Sequence, residues 1–215
     1  LGGQNIYAFG SHSNVTGGVN NSANGGCSHV GGGFGNAAIG NYSNVAGGCR
    51  NTACADYSNV AGGNYNYAFG EKSNVAGGNY NCAIGNNSNI AGGYSNQATG
   101  ENSNVAGGQG NCATNGKSNV GGGIQNVASG YYSSVGGGWD NEACGFGSKV
   151  SGGICNIASN SHSNVAGGYC NQAWGSKSNV AGGFGNRASG INSAILGGTT
   201  NTILSAHTDS FIIGS

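Results

Sequence analysis

The hexapeptide SNVAGG at residues 43–48 decides how the rest of this chain is interpreted. The same six residues return intact at five other places, which begin at Ser58, Ser73, Ser103, Ser163 and Ser178. All of these starts are multiples of fifteen residues apart. The hexapeptide is therefore part of a repeat with a fixed period, and a period this short is typical of a solenoid.

The repeat runs through nearly the whole chain, with a serine every fifteen residues from Ser13 to Ser193. We number this serine position 1 of each repeat. Position 3 is Val or Ile, positions 5 and 6 are Gly, and position 9 is Asn in all thirteen copies. Position 11 is Ala until Ile203 replaces it in the last copy. The fixed positions therefore alternate with variable ones, which is the periodicity of a β-strand.

Composition excludes several classes of protein. The 215 residues include 48 Gly but no Pro, which excludes collagen, and ten Tyr with six Phe argue against disorder. Six Lys and Arg against six Asp and Glu give zero net charge, too little positive charge for nucleic-acid binding. No apolar run is long enough to span a bilayer, and no cofactor motif stands outside the repeat.

Each repeat predicts two short strands and two tight turns. Positions 1, 3, 9 and 11 are expected to point inward, and positions 2, 4, 10 and 12 outward. The inward Ser and Asn can hydrogen-bond to their copies one coil away or to nearby turns. Position 13 is mostly Gly but is Asn115 and Asn160 in two copies. Because Gly and Asn tolerate positive φ, we expect position 13 to be left-handed.

The predicted fold is all-β, a parallel β-solenoid or β-roll of about 14 coils of 15 residues. Residues 1–198 form the regular repeats. Residues 199–215 form a last coil that is longer by two residues and more apolar, which is typical of a cap or a junction. Both ends cut the repeat in mid-coil, so we expect either that this piece is cut from a longer chain or that the ends join head to tail into a filament.

The outer surface of the first half-repeat is monotonous, with Asn at position 2 and Ala at position 4. This candidate face for packing or for a ligand comprises Asn44, Ala46, Asn59, Ala61, Asn74, Ala76, Asn89, Ala91, Asn104, Ala106, Asn164, Ala166, Asn179 and Ala181. A flat stripe of small residues suits a second copy of the chain, an ordered lattice such as ice, or plain solvent. The second half-repeat and its turns carry larger apolar residues, such as Trp139 and Tyr169, and could equally form the subunit contact.

Two segments, NSNIAGG at residues 87–93 and INSAILGG at residues 191–198, resemble the head repeats of trimeric autotransporter adhesins and related repeats in phage and viral fibres. The resemblance covers nearly the whole chain. It implies a left-handed parallel β-roll, a homotrimer, and an extracellular fibre on a cell or virion that attaches to a host or surface receptor. The eight cysteines depart from that family, which is typically poor in Cys.

A second resemblance is to the grass ice-binding β-roll, whose half-repeat is x-x-Asn-x-Val-x-Gly. Residues 111–113 and 126–130 fit that frame with Ala in place of Val. Ice-binding faces usually carry regular rows of Thr, whereas Thr is scattered in this chain. Neither resemblance identifies a ligand residue.

Candidate chemistry is sparse. Cys155 and Cys170 share position 8 in adjacent coils, within reach of a disulfide if their Cα atoms are about 5 Å apart. His12 and Cys27 share position 15, but two ligands make a weak metal site, so no metal is predicted. Three Gly-x-Gly-x-x-Ala strings lie inside the repeat, and no helix is predicted after them. A dinucleotide site needs the N-terminus of such a helix to bind the phosphates, so these strings do not predict one. No serine has a recurring base, so no enzyme activity is expected.

We therefore expect a non-enzymatic structural or adhesive fibre segment whose partner is itself, as a trimer or filament. The alternative is an ice-binding protein that uses the flat Asn/Ala face.

Overall fold

The structure is a computed structural model that describes residues 2–214. It contains two compact units, Leu1–Gln109 and Gly110–Ser215, and both are parallel β-solenoids with 15-residue coils. Counting both units there are about fourteen coils, which confirms the predicted fold class. Among residues 2–214 there is no helix of the length and apolarity that a bilayer crossing requires. The left-handed winding stays a prediction.

All strands are two residues long. Those of the first unit are Gly3–Gln4, Tyr7–Ala8, Asn14–Val15, Gly18–Val19, Ser22–Ala23, His29–Val30, Ala37–Ala38, Asn44–Val45, Thr52–Ala53, Asn59–Val60, Tyr67–Ala68, Asn74–Val75, Cys82–Ala83, Asn89–Ile90, Gln97–Ala98 and Asn104–Val105. Those of the second unit are Cys112–Ala113, Asn119–Val120, Val127–Ala128, Ser134–Val135, Glu142–Ala143, Lys149–Val150, Ile157–Ala158, Asn164–Val165, Gln172–Ala173, Asn179–Val180, Arg187–Ala188, Ala194–Ile195, Thr202–Ile203 and Phe211–Ile212.

Within each unit, strands at positions 2–3 of successive coils pair in parallel in one sheet, and strands at positions 10–11 pair in a second sheet. The register is one repeat, so that Val60 pairs with Val75 and Ala68 with Ala83. Position 7 adds a third, single-residue ladder that the sequence analysis assigned to a turn. In the last coil the register lengthens, because Ile195 pairs with Ile212 across the two extra residues.

The core of each unit is a thin layer of Val or Ile facing Ala. Val75 and Ala83, for example, are fully buried, as are their counterparts in the neighbouring coils. Position 1 Ser and position 9 Asn are also buried, which confirms the predicted inward set. Such narrow side chains let the two sheets approach closely, and stability accumulates over the stacked coils.

The position 9 asparagines tie the coils together. The side chain of Asn66 accepts a hydrogen bond at Oδ1 from the backbone N–H of Asn81, at 3.0 Å. Its Nδ2 donates to the carbonyl oxygens of Gly62 (2.9 Å) and Gly78 (2.7 Å). Some position 1 serines close their own turn, as when Ser178 Oγ donates to the Gly175 carbonyl at 2.7 Å. The buried asparagines are thus hydrogen-bonded, mostly to backbone groups, as predicted. The prediction is wrong for several position 1 serines, whose buried Oγ atoms have no hydrogen-bond partner among residues 2–214: Ser43, Ser73, Ser88, Ser103, Ser133 and Ser148.

The predicted positive φ at position 13 is wrong. Gly70 has no positive φ; it is Gly because a Cβ there would lie 2.1 Å from the carbonyl oxygen of Gly85 in the next coil. The left-handed turn residues are instead at positions 8 and 15, as in Arg50 (φ 54°) and Tyr57 (φ 59°), and at the position 6 glycines. These turns accept many residue types, so composition alone did not reveal them.

Candidate packing and binding faces

The Asn/Ala face of the first unit carries a hydrogen-bonded ladder of amides. Nδ2 of Asn44, Asn59, Asn74 and Asn89 each donates to Oδ1 of the position 2 asparagine in the next coil, ending on Asn104, over 2.7–2.8 Å. These side chains are half-buried by their neighbours. The structure therefore brings the five predicted asparagines into one continuous row.

The alanines of this face form a second row beside the amide ladder. Ala46, Ala61, Ala76, Ala91 and Ala106 at position 4 are all exposed. A methyl group is the largest side chain in this row, so the surface beside the ladder is flat. The predicted face is thus a two-row stripe, one row polar and one row apolar.

The same face is shorter in the second unit. Asn164 Nδ2 donates to Asn179 Oδ1 at 2.7 Å, with Ala166 and Ala181 exposed beside them. In an earlier coil of this unit Lys149 takes the place of the position 2 asparagine. The predicted residues of this unit therefore come together only in pairs.

The amide ladder leaves half of its hydrogen-bonding capacity for other molecules. A carboxamide has two N–H donors and two acceptor lone pairs, and the ladder bonds use one of each. An asparagine such as Asn74 therefore presents one N–H and one lone pair outward at each coil. Any partner of this stripe would meet polar groups at intervals of about 4.8 Å, the strand spacing.

Larger apolar side chains form two other columns. In the first unit, position 12 carries Ile39, Cys54, Phe69 and Ile84 in four successive coils. In the second unit, position 7 carries a column that we call the apolar column, formed by Ile124, Trp139, Ile154, Tyr169 and Phe184. The sequence pattern places Trp139, Tyr169 and Phe184 at turn positions, and the missed signal is that large apolar residues occupy one position in consecutive repeats.

The cationic side chains near the turns are engaged by aromatic rings. The Arg50 guanidinium lies 5.2 Å from the ring centre of Tyr65, and Lys117 Nζ lies 4.7 Å from that of Tyr132. Tyr65 in turn stacks on Tyr80, with ring centres 5.1 Å apart. These contacts hold the two cationic side chains against aromatic rings at the turn edges and stabilise those edges.

Cys155 and Cys170 are both free thiols in the structure, so their disulfide stays a prediction. Burial raises the pKa of the Cys155 thiol, and the nearby Cys170 and Asp140 raise it further. Cys155 Sγ lies 3.8 Å from Asp140 Oδ2. Since burial and an acidic neighbour disfavour the thiolate, Cys155 is poorly activated for nucleophilic chemistry.

The pKa values of other thiols are raised as well, which keeps these thiols protonated. Burial raises the pKa of Cys54, Cys82 and Cys112. Burial and then the carboxylate of Glu142 raise the pKa of Cys144 to about 12. These cysteines therefore behave as small apolar side chains near neutral pH.

The weak metal candidates do not assemble into a site. His12, Cys27 and Asp56 line one shallow pocket of about 390 Å³ in the first unit. Asp56 Oδ1 accepts a hydrogen bond from the Asn41 N–H at 2.8 Å, and Glu71 pairs with Lys72 at 3.0 Å. Within residues 2–214, no group of three or more His, Cys, Asp or Glu side chains could hold a metal ion.

A second pocket, of about 310 Å³, lies near the end of the second unit. It is lined by Trp174, Arg187, Thr202 and Leu204 among others. The Arg187 guanidinium lies 3.7 Å from the Trp174 ring centre, and its Nε donates to Ser189 Oγ at 3.1 Å. The cation of this pocket is thus already held by neighbouring side chains.

Compared with known proteins, the chain matches no family model and no curated protein.

Proposed function

We propose that this chain is a non-enzymatic structural segment of an adhesive fibre, which associates with copies of itself as a trimer or a filament. The observation that carries the proposal is that the exposed side chains form periodic columns. Examples are the Asn44–Asn104 ladder and the apolar column of the second unit. Columns with the period of the coil suit partners that share that period, and the nearest such partner is another copy.

The resemblance to adhesin repeats and viral fibre repeats supports the same proposal. Under it, the fibre is extracellular or on a virion surface, and it contacts a host or surface receptor as well as itself. The buried Ser and Asn would stabilise the stacking of coils within one chain, and the surface columns would make the contacts with other copies or with a receptor.

Electron microscopy of the concentrated protein tests this proposal. We expect particles joined side by side or end to end, with a common width. A field of separate particles of single-chain size, at every concentration examined, would contradict the proposal.

Ice binding is the alternative, and one observation favours it. The ladder from Asn44 to Asn104 fixes polar groups in a straight row beside the exposed alanines from Ala46 to Ala106. A rigid, flat, periodic stripe is what a lattice partner requires. Measurement of thermal hysteresis decides the matter: clear hysteresis that Ala76→Lys abolishes would make ice binding the primary function, and none is expected for a fibre.

A further inference from the structure

The apolar column of the second unit lies on the surface of that unit. Its members pair through consecutive parallel bridges from Ile124 to Phe184. Ile124, Trp139, Tyr169 and Phe184 remain 46%, 53%, 45% and 51% exposed, and Ile154 is half-buried. No member carries a charge. Exposed apolar patches of this kind mark interaction sites.

Small and large side chains alternate along most of the column. Ile124 is followed by Trp139, Ile154 and Tyr169 in successive coils. With roughly 4.8 Å per coil, the two aromatic side chains lie about 10 Å apart, with Ile154 between them. A ring that contacts both of its neighbours at about 3.5–4.0 Å needs some 7–8 Å, so the notch over Ile154 can accept one aromatic ring.

The rings are arranged to insert rather than to lie flat. Tyr169 stacks on Phe184 with ring centres 5.3 Å apart and an angle of 3° between the planes. Rings stacked along the column present their edges outward. Trp139 is held from the side, where its Nε1–H donates to Gln125 Oε1 at 3.2 Å. The column is thus a row of ridges and notches, which does not suit the flat stacking of a sugar ring.

The flanks of the column allow a close approach. On one side are the position 5 glycines, and a Cβ added to Gly122 or Gly182 would have nothing within 4 Å. On the other side position 8 carries the polar residues Gln125 and Asp140 and then the small residues Cys155, Cys170 and Gly185. Polar groups therefore rim the column beside Ile124 and Trp139, as is usual around the apolar centre of a protein interface, and small residues flank it elsewhere.

We infer that this column pairs with the same column of a second, antiparallel copy, so that Trp139 of each copy inserts over Ile154 of the other. A two-fold axis between these two positions also places Tyr169 over Ile124. Each of these four positions is then set large against small, with Phe184 beyond the paired segment, whereas a parallel pairing in register would set Trp139 on Trp139. Self-complementary pairing about a two-fold axis is the commonest mode of association between identical chains.

The inference rests on the proposed self-association and names its contact. An aromatic side chain has about 150–250 Å² to bury, so the half-exposed column offers on the order of 400 Å². That is below the ~800 Å² per partner of a standard interface, so the pairing should be weak and dependent on concentration.

Sedimentation velocity over a concentration series tests the pairing with exchanged residues. The variants are Trp139→Ile, Ile154→Trp and the double exchange, all with residues that position 7 already accepts in this chain. We expect each single change to weaken association about tenfold or more, since it misplaces a central aromatic anchor. The double exchange restores large against small and should return the dissociation constant to within about threefold of the parent.

The controls separate the two claims. Circular dichroism melts should match the parent, because position 7 lies on the surface. Ser159→Trp adds an aromatic side chain at exposed position 12, which already carries Trp174 in the next coil and belongs to neither face, and it should leave association unchanged. Tighter association of Ile154→Trp, or no recovery in the double exchange, would overturn the pairing while leaving self-association intact. A parent that stays monomeric at the highest concentration would overturn both.

Discussion

Asn59 and Asn66 belong to the same coil and have opposite surroundings. Asn66 is fully buried, and its side chain bonds to three backbone groups, that of Gly62 in its own coil and those of Gly78 and Asn81 in the next coil. Asn59 is on the surface, where it accepts from Asn44 at 2.8 Å and donates to Asn74 at 2.7 Å. Water can replace the bonds of Asn59 but cannot reach the partners of Asn66. Asparagine therefore has two roles in this chain: at position 9 it joins coils in the interior, and at position 2 it forms the polar row on the surface.

At the residue scale, Asn66→Ala should cost much more than Asn59→Ala. The first change leaves the buried Asn81 N–H and the Gly62 carbonyl oxygen without their partner, at about 1–3 kcal/mol each, whereas the Gly78 carbonyl keeps the Asn64 N–H as a donor. We therefore expect a loss of about 2 kcal/mol or more. The matched change on the surface should cost less than about 1 kcal/mol. Urea unfolding followed by circular dichroism measures both, and equal losses would show that the interior assignment of position 9 is wrong.

A second prediction at this scale concerns Cys144, whose pKa rises from 9.0 to about 12 on folding. Because the folded state holds the proton more tightly, its contribution to stability is complete below pH 9 and disappears as the pH rises from about 9 to about 12. Alkylation of Cys144 by iodoacetamide, mapped by mass spectrometry, should therefore be slower at pH 9 than in the urea-unfolded chain.

Glu142→Gln provides the control, because the carboxylate is the second cause of the raised pKa. Removing its charge should lower the pKa of Cys144 and speed its alkylation at pH 9. A rate in the folded protein equal to that of the unfolded chain would show that the thiol is not desolvated.

At the scale of the element, each coil depends on one Val or Ile facing Ala. Val75 is fully buried between Val60 and Ile90 of the adjacent coils, to which it pairs. Ala76, the next residue, is exposed. This alternation is what a two-residue strand needs to distinguish its faces.

Val75→Asp should therefore break the stack locally, whereas Ala76→Asp should not. A buried carboxylate without a partner loses the Val transfer energy and adds a desolvation cost, together about 3 kcal/mol or more. Thermal melts should show a large fall in the midpoint for Val75→Asp and almost none for Ala76→Asp. A parent-like melt for Val75→Asp would mean that position 3 does not point inward.

The elements also show what the sequence could predict. The inward set, including Val75 and Asn66, followed from which positions never vary, because the thin interior accepts few side chains. The left-handed sites at Arg50 and Tyr57 did not follow, since exposed turns with positive φ accept many residues here. The role of Gly70 was mistaken for a different reason. Both a close approach of the next coil and a positive φ select glycine, so a recurring position 13 Gly does not show which of the two applies.

The candidate faces also include features that the sequence predicted and features that only the structure revealed. The Asn/Ala stripe from Asn44 to Ala106 was predicted because it is monotonous. The bonds between its amides required coordinates, as did the pairing of position 7 that aligns Trp139 with Ile154. A column of different apolar residues has no sequence motif, so only the register of the coils reveals it.

At the scale of the whole molecule, the chain has six positive and six negative side chains and zero net charge. Two copies therefore approach without net repulsion, and association should depend on apolar contact. Such contact strengthens in kosmotropic salts such as sulfate, whereas attraction between charged surfaces weakens. We expect association to increase from low salt to moderate ammonium sulfate.

The most direct test of self-association is the molar mass of the purified chain, measured by multi-angle light scattering over a wide range of concentration. The chain mass is 20.9 kDa. We predict a mass that rises with concentration above that value, through the dimer, and that rises further in sulfate. A constant mass of 20.9 kDa at all concentrations and salts would contradict the proposal that this solenoid works by associating with itself.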